Sequence, residues 1–172
     1  EEDRAIQIGD TGAKRIAVLS PTGSTIRTFA QGANPVNVQT DRRNWLITDI
    51  GSYLPTEHAT GRILRVSPEG RQLDVVLDEL QRPVAAIPAD FNSDGRMDLV
   101  VSQFGWVGGK LSWFERQADG GLQEHVLLEK PGSSHLVVRD LNGDGRPDIV
   151  ACAEHGSYEL RWWRNEGPPQ SR

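Results

Sequence analysis

The apolar residues of this chain fall into short runs, rich in valine, isoleucine and leucine, that are bounded by Gly, Pro, Asn and Asp. Such runs are typical of strands separated by turns, and no apolar period of about 3.6 residues is sustained. The best-defined stretch predicts four strands, at residues 84–87, 99–103, 111–114 and 124–128. The pattern therefore predicts an all-β fold.

This pattern repeats with a period of about fifty residues. Residues 83–114 and 135–163 match almost position for position, with Asp90 and Asp140 at corresponding places. A weaker copy at 35–66 has Asp41 at that place, and a partial copy begins at residue 15. Four antiparallel strands repeated every 40–50 residues are typical of β-propeller blades. A β-solenoid is the alternative, although its coils usually repeat at shorter intervals.

The strand count predicts an incomplete ring. We interpret residues 1–172 as one β-propeller segment: a partial blade at 11–33, blades at 34–82 and 83–133, a partial blade at 134–167 and a tail at 168–172. The opening copy has what look like a third and a fourth strand (15–19 and 25–29), and the closing copy has three strands. We therefore expect a piece of a larger propeller, or a protomer that completes its ring with other chains, because an open arc exposes strand edges.

Two nine-residue loops have the form D-x-N-x-D-G-x-x-D, one starting at Asp90 and the other at Asp140. Oxygen side chains at positions 1, 3 and 5 can converge, position 7 offers a carbonyl, and the last aspartate completes a shell of oxygen ligands, which Ca²⁺ prefers. Neither loop has the His or Cys that zinc requires. An EF-hand would need Glu where Val101 and Ala151 stand. Ion-free turns are the alternative, but clustered carboxylates repel one another without a cation.

The two copies resemble the FG-GAP or VCBS repeat, the calcium-loop blade of integrin-α-like β-propellers, strongly over 83–167 and weakly over 14–82. Phe104 and Gly105 stand where that family has its Phe-Gly pair, and His155-Gly156 is a degenerate counterpart. The resemblance implies two Ca²⁺ sites. The first would consist of Asp90, Asn92, Asp94, Asp98 and the carbonyl of Arg96; the second would consist of Asp140, Asn142, Asp144, Asp148 and the carbonyl of Arg146. The shortened loop upstream offers only Asp41 and Asn44, and we expect no ion there.

Composition narrows the range of functions. A net charge of −5 and a pI near 5.4 argue against a general nucleic-acid binder. No apolar stretch approaches the roughly 20 residues of a membrane span. Cys152 is the only cysteine, which excludes an intrachain disulfide framework. The sequence has no H-E-x-x-H, haem-attachment or G-x-S-x-G motif, so we expect no catalysis of its own.

We therefore expect a calcium-stabilised, secreted or periplasmic β-propeller module that binds a protein or carbohydrate ligand. One alternative is the accessory propeller portion of a larger secreted enzyme or cytochrome-like protein. Another is a carbohydrate-binding module that uses Trp106 and the long insertion at 52–60, where Tyr53, Glu57 and His58 could contact a ligand.

Overall fold

The computed structural model describes residues 6–20, 22, 25–29, 33–54, 58–105, 109–129, 133–153 and 159–167. These residues form four antiparallel sheets. The first two sheets contain β1 (Ile6–Asp10), β2 (Arg15–Leu19) and β3 (Thr25–Phe29), then β4 (Pro35–Asp41), β5 (Asn44–Asp49), β6 (Gly61–Val66) and β7 (Gln72–Leu80). The last two contain β8 (Pro83–Ala89), β9 (Asp98–Gln103), β10 (Lys110–Arg116) and β11 (Leu122–Glu129), then β12 (Ser133–Arg139), β13 (Asp148–Ala153) and β14 (Glu159–Trp163).

Each sheet is a meander, in which strands that follow one another along the chain are hydrogen-bonded neighbours. This confirms the predicted all-β fold of repeated blade-like sheets, two with four strands and two with three in the described residues. None of these residues forms a helix long and apolar enough to cross a membrane.

The opening sheet differs from the sequence prediction. Two strands were predicted there, starting at residue 15, but the structure adds β1, which pairs with β2 from Ile6↔Leu19 to Asp10↔Arg15. By strand register the segment IQIGD corresponds to residues 45–49 of β5, but it has only two apolar residues, so its pattern is too weak to predict a strand.

The chain divides into two compact units, residues 1–86 and 87–172. In the first unit the core is a cluster of buried side chains from β2, β5, β6 and the segment before β4. Its members are Ile16, Val18, Ala33, Trp45, Ile47, Leu64 and Val66. Residues 45–49 of β5 are all buried, so this inner strand is covered on both of its faces.

In the second unit the inner strand β9 is buried along its whole length. The last sheet lacks, within the described residues, the fourth strand that β11 provides in the preceding sheet. Its outer strand β14 leaves Leu160 71% and Trp162 54% exposed. By strand register these residues correspond to Leu111, which is 1% exposed, and Trp113, whose ring stacks on His125 of β11 with ring centroids 4.6 Å apart. Among the described residues, no strand lies beside β14 in the place that β11 takes beside β10, which explains why Leu160 and Trp162 are exposed.

Candidate metal centre

The first acidic loop, residues 90–98, curls so that two side-chain oxygens point at one backbone N–H. Asp94 N donates to Asp90 Oδ1 at 3.1 Å and to Asn92 Oδ1 at 3.2 Å. Gly95 N donates to Asp90 Oδ2 at 2.9 Å. Positive φ angles at Ser93 (63°) and Gly95 (84°) allow so tight a curl. The oxygens of loop positions 1 and 3 therefore converge.

The second loop, residues 140–148, has the same geometry. Asp144 N donates to Asp140 Oδ1 at 3.2 Å and to Asn142 Oδ1 at 3.0 Å, and Gly145 N donates to Asp140 Oδ2 at 2.9 Å. Positive φ angles recur at Gly143 (77°) and Gly145 (82°). Two separate sequences thus adopt the same conformation, as expected when the D-x-N-x-D-G pattern itself specifies the loop.

The arginine at position 7 contributes its side chain as well as its backbone. Arg96 N donates to Asp94 Oδ1 at 2.8 Å, its guanidinium pairs with Asp94 Oδ2, and its Nε donates to the carbonyl of Arg116 at 2.9 Å. Arg146 pairs in the same way with Asp144 Oδ2, at 2.6 Å. The sequence predicted only a carbonyl ligand at this position. The structure adds a guanidinium that neutralises the carboxylate of position 5 and ties the loop to the end of a neighbouring strand.

The last aspartate of each loop is fixed in the sheet. Asp98 is fully buried; its Oδ2 accepts hydrogen bonds from Phe91 N and Trp113 Nε1, both at 3.1 Å, and its Oδ1 accepts one from Arg116 N at 2.8 Å. Asp148 is also fully buried and accepts bonds from two backbone N–H groups, at 3.3 and 2.8 Å. These carboxylates therefore hold the loop closed on its own sheet.

Electrostatics favour the charged form of Asp144. Burial alone would raise the pKa of this carboxyl group, but hydrogen bonds from the backbone N–H of Arg146 and the amide of Asn142, together with the positive charge of Arg146, hold it below its usual value. Asp144 is therefore ionised at neutral pH, as a ligand of a hard cation must be.

The loops fit a calcium ion in the chemistry of their side chains. The acceptor atoms at positions 1, 3 and 5 are carboxylate and amide oxygens, which suit Ca²⁺ better than zinc. No group of three or more His, Cys, Asp and Glu side chains close enough to hold a metal occurs in the part of the chain that the structure describes. Position 3 of each loop is an amide, Asn92 or Asn142, and the last aspartate is hydrogen-bonded within the sheet. A bound ion would neutralise the carboxylate at position 5, which in this structure is paired with the arginine at position 7.

The upstream loop is a two-residue turn. Asp41 and Asn44 face each other in the β4–β5 register, and Arg42 between them has a φ of 56°. The Asp41 carboxylate lies 3.8 Å from Arg65 Nε. A turn this short has no room for the nine-residue loop, and the absence of an ion there stays a prediction.

Several other predicted residues lie outside the described part of the chain: Trp106, Glu57, His155 and Gly156. Tyr53 is 51% exposed, and His58 is exposed too. Trp113 packs between neighbouring rings, with its ring centroid 6.0 Å from that of Phe91 and 4.6 Å from that of His125. This indole is therefore part of the sheet's packing.

Sequence reasoning missed Glu115, which orients the amide of the first loop. Asn92 Nδ2 donates to Glu115 Oε1 at 2.9 Å, which directs Asn92 Oδ1 back into the loop. A hydrogen bond from His125, at 3.0 Å, is the largest cause that holds the pKa of Glu115 below its usual value. The corresponding position of the second copy is Arg164, so no repeat signal could have identified this residue.

Comparisons with known proteins agree with the repeat assignment. Residues 90–151 match the FG-GAP-like repeat family, which confirms the predicted repeat over that part of the chain. No curated protein matches the sequence at a significant level. Among solved structures, a chain described as Kuenenia stuttgartiensis Hydrazine Synthase has a similar fold, with a TM-score of 0.62 and 11% sequence identity. The similarity covers 89% of this chain and 42% of that chain. At this identity it supports the β-propeller-type fold alone.

Proposed function

We propose that this protein is a calcium-stabilised β-propeller module that binds another molecule outside the cytoplasm and has no catalysis of its own. The observation that carries the proposal is the matched geometry of the loops at 90–98 and 140–148. In each, the oxygens of positions 1 and 3 lie 3.0–3.2 Å from a single backbone N–H.

Calcium would act on stability. Each loop holds three aspartates and one arginine, and thus two net negative charges within nine residues. A bound Ca²⁺ would neutralise this excess and hold the loop in its curled form, so that binding free energy becomes folding free energy. Two ions would offset four of the chain's five net negative charges.

The location outside the cytoplasm follows from the affinity that we expect. Calcium sites of extracellular modules have dissociation constants of about 10⁻⁴–10⁻³ M, far weaker than cytosolic sensor sites. In this protein a Ca²⁺ ion would have to displace the arginine side chain that pairs with the aspartate at position 5 of each loop, and this competition would weaken calcium binding further. Sites of this affinity fill only where calcium is abundant. A submicromolar constant for both loops would remove this argument.

The binding role and the absence of catalysis rest on the fold and the sequence. Residues 90–151 match the FG-GAP-like repeat family, and the sequence has no H-E-x-x-H, haem-attachment or G-x-S-x-G motif. The alternative is an accessory propeller within a larger enzyme. Its support is that a chain named as a hydrazine synthase shares the fold over 42% of its length.

Thermal unfolding with and without calcium tests the proposal. With free calcium at ten times the dissociation constant, each site contributes about 1.4 kcal/mol. Two sites should therefore raise Tm by roughly 5–10 °C in a chain of this size. The Asp94→Ala, Asp144→Ala double variant should lose this response. Asp78→Ala, which removes an exposed carboxylate of β7, should keep it. A wild type with the same Tm in calcium and in EDTA would contradict the proposal.

A further inference from the structure

The first unit has a concave polar pocket of about 450 Å³ that the repeat assignment does not explain. It lies where the β1–β2 turn, the segment before β4, the end of β5 and the start of β6 meet. Part of its wall comes from the 52–60 insertion, through Ser52, Tyr53, Leu54 and Thr60. Its volume falls within the range of small-molecule sites, roughly 300–1,000 Å³.

The floor of this pocket is fixed by a buried carboxylate. Asp49 is 2% exposed. Its Oδ1 accepts hydrogen bonds from Asn34 N and Gly51 N, both at 3.0 Å, and its Oδ2 accepts one from Arg62 Nη2 at 2.7 Å. Gly51 has a φ of 77°, and a Cβ there would lie 2.7 Å from the carbonyl of Thr60. The backbone and the guanidinium are therefore positioned before any ligand binds.

The groups that remain available are mainly hydrogen-bond donors. Both carboxylate oxygens of Asp49 already accept hydrogen bonds within the protein. Arg62 has further N–H groups beyond the one that bonds Asp49, and the Lys14 ammonium forms no ion pair with a described residue. The pocket thus has a net charge of +1 in a chain of −5. Tyr53 and Thr60 also line the pocket, and their hydroxyl groups can donate or accept hydrogen bonds. Such a set suits a ligand with both an oxyanion and hydroxyl groups.

A carboxylate–guanidinium pair also occurs at the corresponding strand ends of the first sheet, where Asp10 Oδ2 lies 3.1 Å from Arg15 Nε. By strand register, Asp49 and Arg62 correspond to Gln103 and Lys110 in the third sheet and to Ala153 and Glu159 in the fourth. These two sheets have no Asp–Arg pair at these strand ends. The pair of the first sheet is partly exposed, with 36% of the Asp10 side chain accessible, whereas the Asp49 side chain is only 3% exposed and forms the floor of the pocket.

We propose that this pocket binds a small sugar acid, with its carboxylate at Lys14 and Arg62 and its ring against Tyr53. Tyr53 is 51% exposed and offers an aromatic face beside the two cations. The inference rests on the ligand-binding part of the proposed function but does not depend on calcium.

Isothermal titration with three probes tests the chemistry. Glucuronate should bind at least about tenfold more tightly than glucose, which lacks the carboxylate, and than acetate, which lacks the ring. Equal binding of glucuronate and glucose would overturn the role of the cations. Equal binding of glucuronate and acetate would overturn the role of the ring.

Variants test the location. Lys14→Gln and Tyr53→Ala change exposed side chains, and each should weaken glucuronate binding about tenfold or more. Arg43→Gln removes the same charge from the exposed β4–β5 turn, at the other end of β5, and should leave binding unchanged. Arg62 is unsuitable for substitution because its loss would leave Asp49 buried without a counter-charge. Equal loss in Lys14→Gln and Arg43→Gln would mean that the effect is only one of general charge.

The calcium response separates this inference from the proposed function. A chain that calcium stabilises but that does not bind glucuronate would overturn the sugar-acid site alone. A chain that binds glucuronate with the predicted variant effects, yet has the same Tm in calcium and EDTA, would overturn the calcium part of the proposed function alone.

Discussion

Replacing Asp98 with asparagine should destabilise the fold even when no calcium is present. The Asp98 carboxylate is fully buried and accepts hydrogen bonds from Phe91 N, Trp113 Nε1 and Arg116 N at 2.8–3.1 Å. Asparagine has the same shape, but one of its two terminal groups is an NH₂ donor. Because N–H donors face both oxygens of Asp98, the new NH₂ group must face at least one of them in either orientation.

The cost follows from the number and kind of bonds. Hydrogen bonds to a charged acceptor are worth about 1.5–3 kcal/mol each, and an unsatisfied buried donor costs about 1–3 kcal/mol. Losing one bond outright and the charge assistance of the others should lower the free energy of unfolding by about 2–4 kcal/mol. Trp113 reports on the site directly, because its indole N–H is one of the donors.

Urea unfolding in EDTA, followed by tryptophan fluorescence and circular dichroism, measures this effect. Asp78→Asn, at an exposed position of β7, serves as the control and should stay within about 0.5 kcal/mol of wild type. If Asp98 served only as a calcium ligand, Asp98→Asn would cost nothing in EDTA. A loss below about 0.5 kcal/mol would therefore refute the assignment of Asp98 as the residue that fixes the loop to the sheet.

Three further predictions concern stability. Ile47→Ala empties a fully buried core position and should cost about 2–5 kcal/mol in urea unfolding, whereas a similar cost for Val75→Ala, 42% exposed, would contradict the assigned core. Burial alone would raise the pKa of Glu124, but hydrogen bonds led by that of Lys110 hold it below 4.5. The ionised Glu124 contributes at most about 1 kcal/mol to the free energy of unfolding; this contribution is present above pH 4.5 and is lost as pH falls through the lowered pKa. The free energy of unfolding of Glu124→Gln should therefore depend less on pH than that of wild type between about pH 5 and 2. The same pH dependence in both proteins would argue against the Lys110–Glu124 pair. Asn165→Ala loses amide bonds to two backbone carbonyls, at 2.7 and 3.2 Å, and should cost about 1–3 kcal/mol, which a Tm equal to wild type would contradict.

The sequence predicts most of the fold because its information is local and repeated. The strands predicted at 15–19 and 25–29 match β2 and β3 in full, since each is a short apolar run between turn residues. The strand β1 has too few apolar residues to be predicted. The contrast between Trp113 and Trp162 could not be foreseen either, because it depends on whether a fourth strand covers the position.

The candidate site is predictable in its residue types and not in their contacts. The D-x-N-x-D-G spacing identifies both loops, since the curl depends on residues only a few positions apart. The bond from Trp113 to Asp98 and the bond from Asn165 to Phe91 join residues 15 and 74 positions apart. These partners come together only when the strands have folded, so a local sequence motif cannot predict their contacts. The guanidinium contacts of Arg96 are likewise absent from the motif, which specifies only its backbone.

Calcium titration by calorimetry, with each loop removed in turn, tests the central claim most directly. Wild type should bind two Ca²⁺ ions per chain, the single variants Asp94→Ala and Asp144→Ala one ion each, and the double variant none. Because the two loops have the same geometry, the two single variants should retain similar affinities. Two ions bound by the double variant, or none bound by a folded wild type, would contradict the assignment of these loops as calcium sites.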